Sequence, residues 1–330
     1  MEQGYSTNRG MTAGNILDYT FHVYYKNFKV ILFFSALIAG IFNLIYIWVT
    51  NAVSFEGTTA NLWEFILQAV ETGDISSIIN NAAIPDVNYG SQWMISSFIF
   101  QGISALMGII STVFIMPFVQ GAVTGITYQY ALGTKLDIKG ALDLSLRKLW
   151  KLVVTALCLL LYYLGIGIVL FIIAIISIFP LVGMGFIIGN NPTAGSIIGL
   201  VVMVIFIILL LASSLIVAQV FISFTYPAVI AEGVFHFNAM GRSFKLVGKR
   251  FWKVLGVTLL VNLISLVIML LVGVVVFIFM MLTRNASLAE FIFPFLITSI
   301  VAPIGYIAST VLYMDVRRQV EASDDGGGYF

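Results

Sequence analysis

The chain has 330 residues, 60% of them apolar and only 9% charged, with a mean hydropathy of +1.06 and a formal net charge of +1. So much hydrocarbon does not fit inside one water-soluble core, which excludes a soluble globular domain and makes lipid the solvent. The one cysteine, Cys158, rules out an intrachain disulfide and says nothing of compartment.

Residues 1–13 read as a disordered cytoplasmic tail, 14–321 as one integral membrane domain, and 322–330, with Asp324, Asp325 and three glycines, as a second disordered cytoplasmic tail. A bilayer core of about 30 Å needs about 20 consecutive apolar residues per helix. Six runs without Asp, Glu, Lys or Arg meet that length: Val30 to Thr50, Trp93 to Val119, Leu152 to Phe179, Ile197 to Tyr226, Val254 to Thr283 and Phe291 to Met314. They are continuous, not alternating, so they predict an all-α polytopic membrane protein and no barrel. The first run follows a polar start containing Arg9, Lys26 and Lys29, with no small-x-small cleavage site after it, and is expected to be a retained span.

Threading the loops alternately across the membrane puts fifteen of the sixteen basic residues on one side and leaves only Arg284 on the other. The positive-inside rule makes that side cytoplasmic and requires an even number of spans, with both ends inside. The loop 51–91 then faces outward. It carries Glu56, Glu64, Glu71, Asp74 and Asp86 without a lysine or arginine. Its periodic segment, with Trp63, Ile66, Leu67 and Val70 on one side, lies flat on the outer surface or belongs to a loosely ordered insertion.

A repeat runs through the chain. Asn27-Phe28-Lys29-Val30, Leu149-Trp150-Lys151-Leu152 and Phe251-Trp252-Lys253-Val254 each put an aromatic residue and a lysine at the cytoplasmic mouth of an odd-numbered span. The even-numbered spans end with Pro117, Pro227 and Pro303 near the same face. Before each aromatic-lysine pair lies an amphipathic helical pattern. In the first, Leu17, Phe21, Tyr24 and Phe28 form the apolar stripe, with Asp18, His22, Lys26 and Lys29 away from it. The second opposes Ile138, Leu142, Leu146, Leu149 and Val153 to Lys139, Asp143, Arg147 and Lys151. The third opposes Phe237, Met240, Phe244, Val247, Phe251 and Val254 to Arg242, Lys245, Lys249 and Lys253. The expected architecture is three hairpin units, each preceded by a cytoplasmic interfacial helix.

The stretch Tyr226 to Gly233, then Ala239 to Val247, then Arg250 to Gly256, with Leu312 to Arg318 and Glu321 near the end and Gly14 to Asp18 at the start, resembles a known family. It is similar to the membrane domain attached to some bacterial glycerophosphoryl diester phosphodiesterases, which also occurs as free-standing prokaryotic membrane proteins. The resemblance covers about Gly14 to Asp324 and implies a fold and a prokaryotic plasma membrane, hardly an activity. Where the terminal motif usually continues Arg-Lys-Glu-Gly, this chain has Arg318-Gln319-Val320-Glu321-Ala322. The catalytic barrel's His-Arg-Gly start is missing: His22 precedes Val23 and His236 precedes Phe237.

No HExxH, CxxC, GxSxG, phosphate loop or His-carboxylate cluster is present, so no enzyme, cofactor or metal site is expected. Asp18 and His22, four apart, read as a solvated pair. The spans hold no ionisable group of the kind that ion-coupled transporters keep. Their polar residues Asn43, Gln101, Gln219 and Asn262 read first as interhelical hydrogen bonds. Gly121 to Gly125 and Gly195 to Gly199 mark close helix approach or loop flexibility. Glu232, just beyond Pro227, is expected to cap the following helix or pair with Arg242 or a lysine.

The leading expectation is a non-enzymatic scaffold or accessory subunit, with a membrane-protein partner and no nucleic acid. It would contact anionic lipid headgroups through Arg242, Lys245, Lys249, Arg250, Lys253, Arg147 and Lys151. A permease or lipid translocator would instead show a cleft between the hairpins lined by Asn43, Gln101, Gln219 or Asn262. A lipid-headgroup enzyme would need Glu232, Asp315 and Arg317 to converge at the cytoplasmic boundary.

Overall fold

A computed structural model describes residues 10–53, 91–190 and 194–325, and among these every regular element is helical. The expected helical segment of the outer loop and both tails fall largely outside the described residues. Helix α1 (Ala13–Lys26) opens at Thr12, whose hydroxyl accepts from the Asn15 N–H, and ends at Asn27. Span one follows as α2 (Phe28–Leu32), a π-helical stretch Phe33–Gly40 and α3 (Ile41–Val53). Span two is α4 (Ser91–Ile110), a π-helical turn Ser111–Ile115 and α5 (Met116–Ala131). Span three is the single helix α6 (Ile138–Asn190), and span four is α7 (Ala194–Ile222) with α8 (Thr225–Glu232). Helix α9 (Phe237–Lys249) leads into span five, α10 (Phe251–Thr283). Span six is α11 (Ala286–Leu296), a π-helical turn Ile297–Val301 and α12 (Ala302–Asp325).

Among the described residues six helices are long and apolar enough to cross a membrane, so the chain is an all-α multi-pass membrane protein. At 33 residues α10 is about 50 Å long, more than a bilayer core of about 30 Å, and tilt or projection takes up the excess. The outward sides of spans three to five expose residues such as Phe171, Phe206 and Leu270, as lipid contact requires. The buried core lies toward the basic face. There α1, α5, α8, α9 and α12 meet around Ile16, Val23, Ile126, Leu246, Val247, Val311 and Tyr313.

The prolines explain the breaks. Lacking an N–H, Pro117, Pro227 and Pro303 leave the carbonyls of Val113, Ser223 and Ser299 without their ordinary i+4 donors. Spans two and six respond with a π-turn just before the proline, and span four with the non-helical pair Ser223-Phe224. Neighbouring side chains bond to backbone groups at the breaks in spans four and six. Ser35 Oγ shares its proton between the Ser299 and Ile31 carbonyls, each at 2.8 Å, and Tyr24 OH donates to the Ile300 carbonyl at 3.2 Å. Ser243 Oγ accepts from the Phe224 N–H at 3.1 Å and donates to the Phe221 carbonyl at 2.6 Å.

Two expectations change. Only the first and third pre-span segments are separate helices, broken at Asn27 and Arg250; the second runs without interruption into span three as α6. Good helix formers, Arg147-Lys148-Leu149, stand there in place of Asn27 or of the Gly248 that precedes the third break. In α1 the buried side is Ile16, Thr20 and Val23, and the predicted stripe is rotated by one position, leaving Phe21 and Phe28 partly exposed. The third pattern holds better. Met240 and Val247 are buried and Lys245 and Lys249 exposed, although Phe237 also stays outside.

Candidate functional site

Two features meet in the basic half of the bundle. The first is an ion-pair cluster built where the end of α8 meets the middle of α9 and the C-terminal half of α12. Glu232 is the last residue of α8, and Gly233 turns the chain at φ +72°, a left-handed conformation that glycine adopts without a Cβ penalty. Lys148 Nζ donates to the Ile230 carbonyl and Lys151 Nζ to the Gly233 carbonyl at 3.1 Å, which satisfies the helix end. Arg242 Nε, from α9, lies 3.0 Å from each oxygen of Glu232, and the Tyr313 hydroxyl donates to the same carboxylate. Arg317 Nε stands 3.4 Å from Glu232 and 2.9 Å from Glu321, and Glu321 takes Arg242 Nη2 at 2.6 Å.

Beside this group Lys253 Nζ pairs with Asp315 at 2.6 Å. Asp315 also accepts from Gln319 Nε2 at 2.7 Å and from the Met11 N–H at 2.8 Å, which ties the two ends of the described chain together. Three cations face three carboxylates, so the cluster is charge-balanced. Burial works against the Arg242 charge, but its hydrogen bond to Glu232 and the nearby carboxylates outweigh that and hold its pKa above the ordinary value. Each carboxylate of the set is paired with a cation and each cation with a carboxylate.

The second feature is a cavity of about 360 Å³ one helical turn deeper, bounded by spans two to six. Its polar lining comprises Gln120, Gln219, Asn262, Thr112, Thr258, Ser223 and Ser309 with Tyr163, Tyr226 and Tyr306, and the rest is aliphatic or Met116. None of these side chains is an acid or a basic residue. The amides of Gln120, Gln219 and Asn262 have no hydrogen-bond partner among the described residues, and Gln219 and Asn262 are exposed. Tyr306 OH reaches Met116 Sδ at 4.0 Å across the span two to span six side of the cavity.

The structure sorts the predicted residues. Glu232 and Arg317 come together, and Asp315 lies in the adjoining pair with Lys253. Glu232 pairs with Arg242, one of the two partners expected for it. Of the basic set, Arg242 and Lys253 are spent on carboxylates inside the protein, and Lys151 on a carbonyl and the face of Phe235 at 5.3 Å. Arg147 forms an exposed pair with Asp143, while Lys245, Lys249 and Arg250 lie on the surface. Asn43 bonds across to Thr298 Oγ1 at 3.1 Å, whereas Gln101 is exposed and outside the cavity. His22 meets Tyr130 OH at 3.1 Å and not Asp18. Among the described residues no group of three or more His, Cys, Asp or Glu could hold a metal.

Sequence reasoning missed Glu321, Tyr313 and Gln120. The i,i+4 spacing from Arg317 to Glu321 is a usable signal. Gln120 falls one residue past the apolar run that ends at Val119, and Tyr313 and Glu321 entered only as part of the terminal motif, with no bonding role. Gly121 and Gly125 do serve close approach: a Cβ at either would stand 2.5 Å from Leu152 Cδ1 or Leu144 Cδ2 of α6. Gly195 and Gly199 lie in the first turns of α7.

Fold and site define a class: a helical membrane protein, with six spans among the described residues and an uncharged cavity over an ion-paired base. The family described as "Domain of unknown function (DUF7847)" matches residues 91–316, and the chain belongs to that family. No curated protein and no solved structure matches it.

Proposed function

We propose that the protein is a binding or translocating membrane protein that holds an amphiphilic molecule between its hairpin units, and that it is not an enzyme. The observation that carries this is the cavity of about 360 Å³ presenting the amides of Gln120, Gln219 and Asn262 at membrane depth without protein partners. Its volume falls in the range of small-molecule sites, about 300–1,000 Å³. A polar side chain facing a membrane interior without a partner is unfavourable, so three converging amides favour a ligand over packing. The charge asymmetry supports a plasma-membrane orientation with the basic face cytoplasmic. The resemblance to a phosphodiesterase-associated membrane domain suits a binding component.

The test is purification of the full chain in mild detergent followed by mass analysis of bound small molecules. Wild-type protein is expected to retain a lipid or other amphiphile, and Gln219→Leu with Asn262→Leu to lose it. Equal retention by both proteins overturns the reading.

A second reading, an anionic-lipid scaffold or accessory subunit, is favoured by the exposed Lys245 and Arg250 beside Trp252, which is 80% exposed. Lys245→Gln with Arg250→Gln is then expected to weaken binding to anionic liposomes, and unchanged binding counts against it. A partner protein co-purifying in fixed ratio would favour the accessory role.

A further inference from the structure

We infer that the cavity's ligand is an uncharged lipid, with a hydrogen-bonding hydroxyl, carbonyl or amide group on an apolar body, and that it reaches the site sideways from the bilayer. This rests on the cavity reading proposed above and narrows it.

Charge is the first discriminator. The cavity lining contains no Asp, Glu, Lys, Arg or His. The charged side chains nearest it along the spans lie one to two turns nearer the basic face, where Lys253 is held by Asp315, Glu232 by Arg242 and Arg317, and Lys151 by the Gly233 carbonyl and the face of Phe235. An anionic or cationic headgroup drawn into the cavity would lose its hydration without gaining a counter-charge, or would have to break one of these pairs. A neutral headgroup meets neither penalty. Each amide offers two N–H donors and a carbonyl acceptor, which suits hydroxyls, esters and amides.

Access is the second. On the basic side the cavity is floored by Leu312, and the next residue, Tyr313, is fully buried against Phe224 at 5.6 Å between ring centroids. That closes the direct route from water through the ion-pair cluster. On the side of spans four and five, Gln219 and Asn262 are exposed among Leu215, Leu259 and Leu263, which face outward at membrane depth. Exposed lining residues mark the cavity's open sides, Thr112 and Tyr163 on spans two and three and the two amides on spans four and five, and the amides give the second opening a hydrogen-bonding edge on a lipid-facing apolar surface. A headgroup passes between the two amides while its chains stay in the hydrocarbon. The space of about 360 Å³ holds roughly a dozen water-sized groups, so it takes a small headgroup and the top of a chain, not a whole lipid.

The test uses the full chain in nanodiscs containing either photoactivatable diacylglycerol or photoactivatable phosphatidylglycerol, each with its crosslinker beside the glycerol, and peptide mapping of the adducts. Diacylglycerol is expected to label the segments around Gln219 and Asn262. Gln219→Leu with Asn262→Leu should lower that labelling about fivefold or more, whereas Gln101→Leu, outside the cavity, should not. Competition of wild-type labelling by unlabelled diacylglycerol gives the same readout without any substitution. Equal or stronger labelling by phosphatidylglycerol overturns the uncharged class and leaves the cavity reading standing. Suppression by excess free glycerol overturns sideways access and assigns the site to a water-borne polyol. Labelling of these segments by neither lipid, or labelling that unlabelled diacylglycerol fails to reduce, overturns the cavity reading itself.

Discussion

Glu232→Gln isolates the ion-pair cluster, because it preserves side-chain shape and an acceptor for Tyr313 while removing the charge. Arg242 and Arg317 would then share Glu321, whose side chain is 44% exposed and contributes little through solvent. Glu232 and Arg242 are themselves only 15% and 22% exposed. Removing one partner of a buried pair costs about 3–5 kcal/mol, since the other charge is left uncompensated. The remaining carboxylate and partial exposure put Glu232→Gln near the lower end, about 3 kcal/mol. Arg242→Gln should cost a similar amount by stranding Glu232 beside Arg317 alone. The double variant removes both charges together, so it should cost less than the sum, with a coupling of about 2 kcal/mol. The assay is equilibrium unfolding in mixed micelles titrated with a denaturing detergent, run on all four proteins. A coupling below about 0.5 kcal/mol would show two independent sites and refute a buried lock.

Three further outcomes follow from the packing. Gly121→Val should destabilise by about 1–3 kcal/mol, because its Cβ would stand 2.5 Å from Leu152 Cδ1, and adding Leu152→Ala should recover part of the loss in the same unfolding titration. Ser35→Ala should cost about 1 kcal/mol by removing the hydroxyl that serves the Ser299 carbonyl. That cost should shrink in a Pro303→Ala background, where a backbone N–H is restored; an undiminished cost refutes the role assigned to the proline. Asp315→Asn, which weakens the hold on Lys253 and the Met11 N–H, should speed proteolytic cleavage near Met11 in the folded protein, and an unchanged cleavage rate would show that the tie bears no load.

The spans were legible because nothing but a membrane helix needs about 20 apolar residues in a row. Their inner ends were less so. The run through Val119 stops where polar residues return, yet the helix continues to Ala131, since Thr124 and Thr127 are buried by neighbouring helices and need no lipid. The register of α1 was off by one for a related reason. Lipid and protein interior are equally apolar, so Phe21 and Phe28 read as core when Ile16, Thr20 and Val23 are the buried positions. The pairing of Glu232 with Arg242 was legible, being ten residues away across one turn, and Gln219 and Asn262 were visible as polar residues in apolar runs. That these two joined a cavity with Gln120, while Asn43 bonded to Thr298, depends on where the helices cross, which periodicity does not encode.

The cavity and the cluster have a common cause in the three prolines. Each interrupts an even-numbered span at about the same depth, and the segments beyond the breaks, α5, α8 and α12, pack on one another. A continuous helix would carry each span straight past its neighbours, whereas a break lets the inner segment converge while the outer segment stays apart. Space is left where convergence begins, and the lining shows it: Met116 and Tyr226 immediately precede Pro117 and Pro227, and Tyr306 follows Pro303 by three residues. Below that level the converging ends bring Glu232 of α8 against Arg317 of α12, with Arg242 supplied by α9. Closing the base with ion pairs rather than hydrocarbon fixes which helix ends meet, because a shifted register would strand a charge at low dielectric. The same register keeps the uncharged cavity separate from every cation and carboxylate of the cluster, so a headgroup bound there is read by its hydrogen bonds and not by its charge.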